Sequence, residues 1–285
     1  MTLIITCKGP EGLALAADSR ATITVTTDSG EQGITYVDTA TKLFALADQP
    51  YVGLLAWGQY FFGNGRSIAG AIPELEMRLA KRSGGRRLTV AEVASEASAF
   101  FAEQWRAVDA QPAGNGSMWF QVAGFDEGDP QGQRYQVGIP SRPAPEKFSD
   151  NVGISWGGQS ELVARVMNGV DPAAIEIAKS ELTLRNNQVQ RLDSRWHDEL
   201  ALKLRPDGLP LQSSVDLAVY LVTMTVAAQS FTYGGIQGVG GPIDVATITQ
   251  ADGFQWVRRK QIEVRPPFAI PDPGDPAASP PASDS

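Results

Sequence analysis

The chain has 285 residues, 42% of them hydrophobic, which is ample for a real core in one large domain or two small ones. Its 24 basic residues against 32 acidic ones give a net charge of −8, which argues against nucleic acid as the main partner. A single cysteine, Cys7, and a single histidine, His197, exclude an internal disulfide framework and metal sites built on several Cys or His ligands; any serine or cysteine triad would have to take its base from His197.

The N-terminus has no basic n-region or apolar h-region, and no stretch reads as a membrane span, so a cytoplasmic protein beginning at Met1, with no membrane partner and no cofactor, is expected. Residues 2–8 and 13–18 are two short apolar runs flanking Gly9-Pro10-Glu11-Gly12, which predicts a β-hairpin. A turn centred near Pro10 pairs residues whose numbers sum to about 20, placing Asp18 across from Thr2, within a residue or so. Removal of Met1 would leave Thr2 with a hydroxyl and a free α-amine on one residue. Such an amine has a reference pKa of about 7.7–8.0, and a threonine activated by its own amine is a known nucleophile. Without further evidence, Met-Thr would be an ordinary start and Asp18 a strand end.

Further along, Ala21 to Thr27 is β-branched and alternating, and Asp28-Ser29-Gly30 is a turn. Strands are expected at 41–47 and 51–56, the latter ending at Trp57-Gly58. Ile68, Ile72, Leu75 and Leu79 make one helical stripe, with Pro73 expected to kink or start the helix. Thr89 to Glu92 is a capping box opening a second helix, and the basic run 81–87 between the two reads as a solvated helix end and loop. Strands follow at 117–125 and 133–138, a loop at 140–145, and a strand at 154–158 leading into a helix over 162–167.

Residues 173–182 read as helical, while 183–212 are polar and read as an insertion, with a helix around 192–202 that exposes His197. Ser213 to Ser230 is an apolar, buried helix running into a glycine-rich stretch, Tyr233 to Gly241. That stretch lacks the Gly-Lys-Ser/Thr ending of a P-loop and precedes a strand, so phosphate cradling is not expected. A closing hairpin spans 243–258, and a disordered Pro-rich tail occupies 266–285 beyond a single domain of residues 1–265. Blocks of strands alternating with blocks of helices predict an α+β layered domain with antiparallel sheets.

This order and its motifs resemble the proteasome β-subunit family of N-terminal nucleophile hydrolases. The resemblance rests on Thr2, on Leu15-Ala16-Ala17-Asp18-Ser19-Arg20-Ala21-Thr22, on Thr41-Lys42-Leu43-Phe44, on Gly58 at a strand end, and on Ile154 to Gly158. It continues with Tyr233-Gly234-Gly235 and Val245 to Thr249 before Asp252-Gly253-Phe254, and so covers most of residues 2–260. It implies a four-layer αββα sandwich of two antiparallel sheets. It further implies Thr2 as nucleophile with its amine as base, Lys42 beside it, Asp18 holding Lys42, and the Gly58 N–H as oxyanion donor. Arg20, Ser155, Ser230 and Tyr233 would be supporting residues.

Two departures stand out. The family has a serine before the third helix where this chain has Trp156-Gly157-Gly158. It also has an Asp-x-x-Ser-Gly-Gly where Ser230 and Tyr233 here replace the aspartate and the serine. The implied activity is a threonine endopeptidase acting on peptides or proteins through an acyl-enzyme, in a homo-oligomeric particle that an ATP-dependent unfoldase could serve. The direct Met-Thr start points to the bacterial relatives, either the peptidase of the two-component ATP-dependent protease or the ancestral-β-subunit type. A small-molecule amidase of the same superfamily and a non-catalytic subunit of a proteasome-like assembly are the rival readings. Retention of a Lys42–Asp18 pair, costly to bury, weighs against the last.

Overall fold

The computed structural model describes residues 2–26, 32–108, 116–170, 172–205, 208–232 and 237–261. Tyr233 and the Pro-rich tail lie outside these described residues.

Strands β1 (Leu3–Lys8) and β2 (Leu13–Ala17) form the expected hairpin, closed by the Gly9 N–H on the Gly12 carbonyl at 2.9 Å. Ile4 pairs with Ala17, so partner numbers sum to 21. The four-residue turn between Lys8 and Leu13 sets that sum, and Asp18 therefore faces Leu3, one residue from the expected partner. Strand β2 is buried on both faces and divides its residues by size. Leu13, Leu15 and Ala17 point between the sheets, while Ala14 and Ala16 point outward, where their small side chains let a helix approach closely.

The hairpin is central to a five-stranded antiparallel sheet. Its order is β10 (Gly153–Gly158), β1, β2, β11 (Asp244–Thr249) and β12 (Gly253–Arg258). A second antiparallel sheet runs β5 (Leu43–Ala45), β6 (Val52–Gly58), β7 (Met118–Gly124), β8 (Gln133–Ile139), β9 (Arg142–Lys147). A separate pair, β3 (Ala21–Thr26) and β4 (Gln32–Val37), follows the hairpin. Ile4, Leu15, Leu43, Leu55 and Ile248 fill the space between the two large sheets.

Helices α1 (Ile68–Ser83) and α2 (Val90–Arg106) cover the outer face of the second sheet, where Phe101 stacks on Phe120 at 4.1 Å. Helices α3 (Glu161–Asn168) and α6 (Leu211–Ser230) cover the first, with Val163, Leu221 and Val222 on Leu3 and Ile5. The result is the expected four-layer αββα sandwich of two antiparallel sheets.

Four local expectations are corrected. The stretch read as a loop at 140–145 contains edge strand β9, whose Pro143 and Pro145 are tolerated because an edge strand leaves half its donors unused. Pro73 does not start α1. The helix begins five residues earlier, where the Ser67 side chain accepts the Gly70 N–H at 3.1 Å. Within the polar insertion, α5 spans Asn186–Leu200 after α4 (Pro172–Glu181), and neither helix has a buried residue. Helix α6 is long and apolar enough by length and composition to cross a membrane, contrary to expectation. In the fold it lays Val215, Ala218, Leu221 and Val222 on the first sheet.

Candidate active site

Asp18, directly after β2, is 0% exposed and has both carboxylate oxygens doubly engaged. Oδ1 accepts from the Leu3 N–H at 3.0 Å and from Lys42 Nζ at 2.7 Å. Oδ2 accepts from the Arg20 N–H at 3.1 Å and the Gly240 N–H at 3.0 Å. One carboxylate thus ties together the start of β1, the exit from β2, the loop before β11, and a lysine. Lys42 sits just before β5 and is 1% exposed. Its ammonium also donates to the Arg20 carbonyl at 2.5 Å, and its own carbonyl accepts the Ala56 N–H at 2.8 Å. Burial lowers the Lys42 pKa, and the adjacent Asp18 carboxylate opposes that shift.

Thr2, 3% exposed, precedes β1, and its carbonyl accepts the Gln159 N–H at 2.7 Å. Gly158, with φ +97°, passes so close that a Cβ there would fall 1.8 Å from the Thr2 oxygen, so this contact requires glycine. Thr2, Lys42 and Gly58 line one cavity of about 570 Å³, whose wall also includes Ala21, Trp57, Trp119 and Gln159. Gly58 ends β6 at φ +81°, and a Cβ there would come within 2.3 Å of the Ser117 carbonyl oxygen. Nucleophile, cation and oxyanion donor expected from the sequence are brought to a single cavity.

The supporting residues fare differently. Arg20 reaches the site through its backbone; its guanidinium pairs with Asp38 at 2.6 and 2.8 Å and braces the β3–β4 pair. Ser155 lies opposite Thr6 on β10 and bonds to Gln121 Nε2 at 3.1 Å and Arg134 Nη1 at 3.2 Å, in a polar cluster away from Thr2. Ser230 is exposed, and its hydroxyl donates to the Ala227 carbonyl at 2.7 Å. Neither serine takes up a place on the Thr2 cavity.

Its neighbour Gln229 is the inward residue: Nε2 donates to Gln159 Oε1 at 2.9 Å while Oε1 accepts the Val239 N–H at 3.0 Å. The signal was available in the sequence. Ala218, Val222, Thr225 and Gln229 follow 4, 3 and 4 residues apart, which puts the glutamine on the buried stripe.

Other chemistries find little support. His197 is exposed on α5, and burial pushes the Cys7 thiol up to about 12, far from a reactive thiolate. Among the described residues no group of three or more His, Cys, Asp or Glu is placed to hold a metal ion.

Among the solved structures that resemble this fold are two of Anbu. Anbu (ancestral beta-subunit) from Yersinia bercovieri matches with a TM-score of 0.50 and 13% identity over 90% of this chain and 86% of its own. The Anbu (Gly-1) mutant from Hyphomicrobium sp. strain MC1 matches with a TM-score of 0.50 and 14% identity over 92% and 87%. What is shared is the fold. No family model matches the chain, and no curated protein matches it in sequence. These findings correct the family expectation: identity at this level carries the fold alone and does not carry membership of the proteasome β-subunit family.

Proposed function

We propose that this protein is an N-terminal threonine hydrolase that cleaves amide bonds in peptides, with Thr2 as the nucleophile once Met1 is removed. The observation that carries the reading is the fully buried Lys42–Asp18 pair, whose lysine lines the Thr2 cavity. Burying two charges is poor value for stability alone, since a hydrophobic pair of similar volume would do as well or better. Charge placed beside a hydroxyl and an amine is useful to chemistry.

In this reading the Thr2 amine takes the hydroxyl proton as the oxygen attacks the amide carbonyl. The Lys42 ammonium disfavours a second positive charge nearby and so keeps the amine able to accept that proton. The Gly58 N–H steadies the oxyanion, and the intermediate collapses as the amine returns the proton to the leaving nitrogen. That leaves an ester on Thr2. Water, deprotonated by the same amine, then releases the acid and restores the hydroxyl.

A non-catalytic subunit is the second reading, favoured by the placement of Ser155 and Ser230 away from the cavity. Hydrolysis of a panel of fluorogenic peptides by wild type and Thr2→Ala separates the two. The hydrolase reading expects a loss on the order of a thousandfold or more in the variant with its fold intact. A wild type that cleaves none of the panel favours the subunit reading.

A further inference from the structure

Among the described residues fourteen line the Thr2 cavity and four of these are aromatic, namely Trp57, Tyr60, Phe61 and Trp119, against 8% aromatic residues in the whole chain. Lys42 is the one charged side chain among them, and it is already paired with Asp18. The indoles of Trp57 and Trp119 stack with centroids 6.1 Å apart and planes 16° from parallel. Two other strands make room for them. A Cβ on Gly157 of β10 would fall 2.5 Å from the Trp57 ring, and one on Gly138 of β8 would fall 2.6 Å from the Trp119 ring. Glycine weakens a strand interior, so both positions are given over to seating the rings.

The pair is also close to the chemistry. Gly157 lies under Trp57 while the next residue, Gly158, touches Thr2; Trp57 itself directly precedes Gly58. A group resting against the indoles therefore sits next to the bond that Thr2 would attack. Trp57 belongs to the buried inter-sheet core at 9% exposure, whereas Trp119 is partly exposed, so Trp119 supplies most of the open face of the wall.

We propose that the Trp57–Trp119 wall is a specificity subsite for a neutral planar group, an aromatic side chain adjacent to the scissile amide. Offset stacking and edge contacts with the indoles, Trp119 foremost, would hold it, and among the described lining residues no unpaired charge would recruit an acidic or basic residue instead. This inference rests on the hydrolase reading, and the test keeps the two apart.

First, Thr2→Ala protein is titrated with N-acetylphenylalaninamide and, as control, N-acetylalaninamide, following tryptophan emission. A saturable change with the phenylalanine compound, and affinity for it on the order of tenfold tighter than for the control, is expected. Second, kcat/KM of wild type is compared for fluorogenic peptides carrying Phe or Ala beside the cleaved bond. The Phe/Ala ratio should be about tenfold or more and should fall towards one in Trp119→Leu, which keeps apolar volume without a ring.

Equal binding of the two amides, a wild-type ratio near one, or a ratio unchanged in Trp119→Leu overturns the subsite. Hydrolysis without aromatic preference would sink the subsite and leave the hydrolase reading standing. Selective binding by a wild type that hydrolyses nothing would do the reverse.

Discussion

At the scale of single residues, the Asp18 carboxylate is the most heavily connected group in the site, with three backbone N–H donors and one ammonium. Asp18→Ala leaves all four without their acceptor and Lys42 buried as a lone cation. We expect a loss of roughly 3–5 kcal/mol in denaturant unfolding, together with loss of hydrolysis. Cys7 makes a prediction about pH. Its thiol, ordinarily at 9.0, is held to about 12 in the folded chain. Between those values the unfolded chain has released a proton that the folded chain keeps, so this contribution is fully present below pH 9 and is lost as pH rises towards 12. Stability should fall by up to about 1.4 kcal/mol per pH unit in that window, and Cys7→Ala should remove this slope. Equal slopes for the two proteins would show that Cys7 is not the group responsible. That Asp18 meets the start of β1 was legible from the hairpin spacing, and that Lys42 meets Asp18 was implied by the family resemblance. The roles of Ser155 and Ser230 were not legible, because a serine's partners depend on which strand or helix turn faces it.

At the scale of elements, the end of β6 and the end of α6 each carry a test. Gly58 adopts φ +81° with the Ser117 carbonyl 2.3 Å from where a Cβ would sit. Gly58→Ala should therefore cost about 1–3 kcal/mol and displace the strand end from the cavity, lowering hydrolysis more than stability. An alanine variant with wild-type kinetics would remove Gly58 from the mechanism.

On α6 the two neighbours should part company. Ser230→Ala, an exposed change, should stay within about 0.5 kcal/mol of wild type. Gln229→Ala strips the acceptor from the Val239 N–H and the donor from Gln159, and should cost about 1–3 kcal/mol in thermal or denaturant unfolding. The elements themselves were largely legible because their hydrophobic periods are clear. The exceptions have physical causes. Two prolines disguised β9, whose edge position is a fact of sheet order, and the β1–β2 register shifted by one because a four-residue turn, rather than the position of Pro10, sets it.

At the scale of the whole molecule, a layered α+β domain with antiparallel sheets was readable from block order, since strands and helices in alternating blocks must bury their apolar faces on one another. The count of four layers came from the family resemblance. Assembly was not readable in the same way. The outer surface of α6 carries Tyr220 at 54% exposure and the chain after it Phe231 at 87%, and its sequence has no charge beyond Asp216. Strand β4 adds exposed Ile34, Tyr36 and Val37. We expect these faces to be covered by further copies of the chain in a homo-oligomer, and light scattering at micromolar concentration tests that directly. A stable monomer would count against a particle and in favour of a free-standing amidase.

The central claim is that Thr2 acts through both its hydroxyl and its own α-amine, and one measurement addresses it most directly. The intact mass of the purified protein is recorded before and after incubation with a peptide epoxyketone, an electrophile whose stable adduct consumes a hydroxyl and a free amine on one residue. The account predicts a chain lacking Met1 that gains one stoichiometric adduct, mapped to Thr2 and absent from Thr2→Ala. A chain that keeps Met1 and acquires no adduct would contradict it.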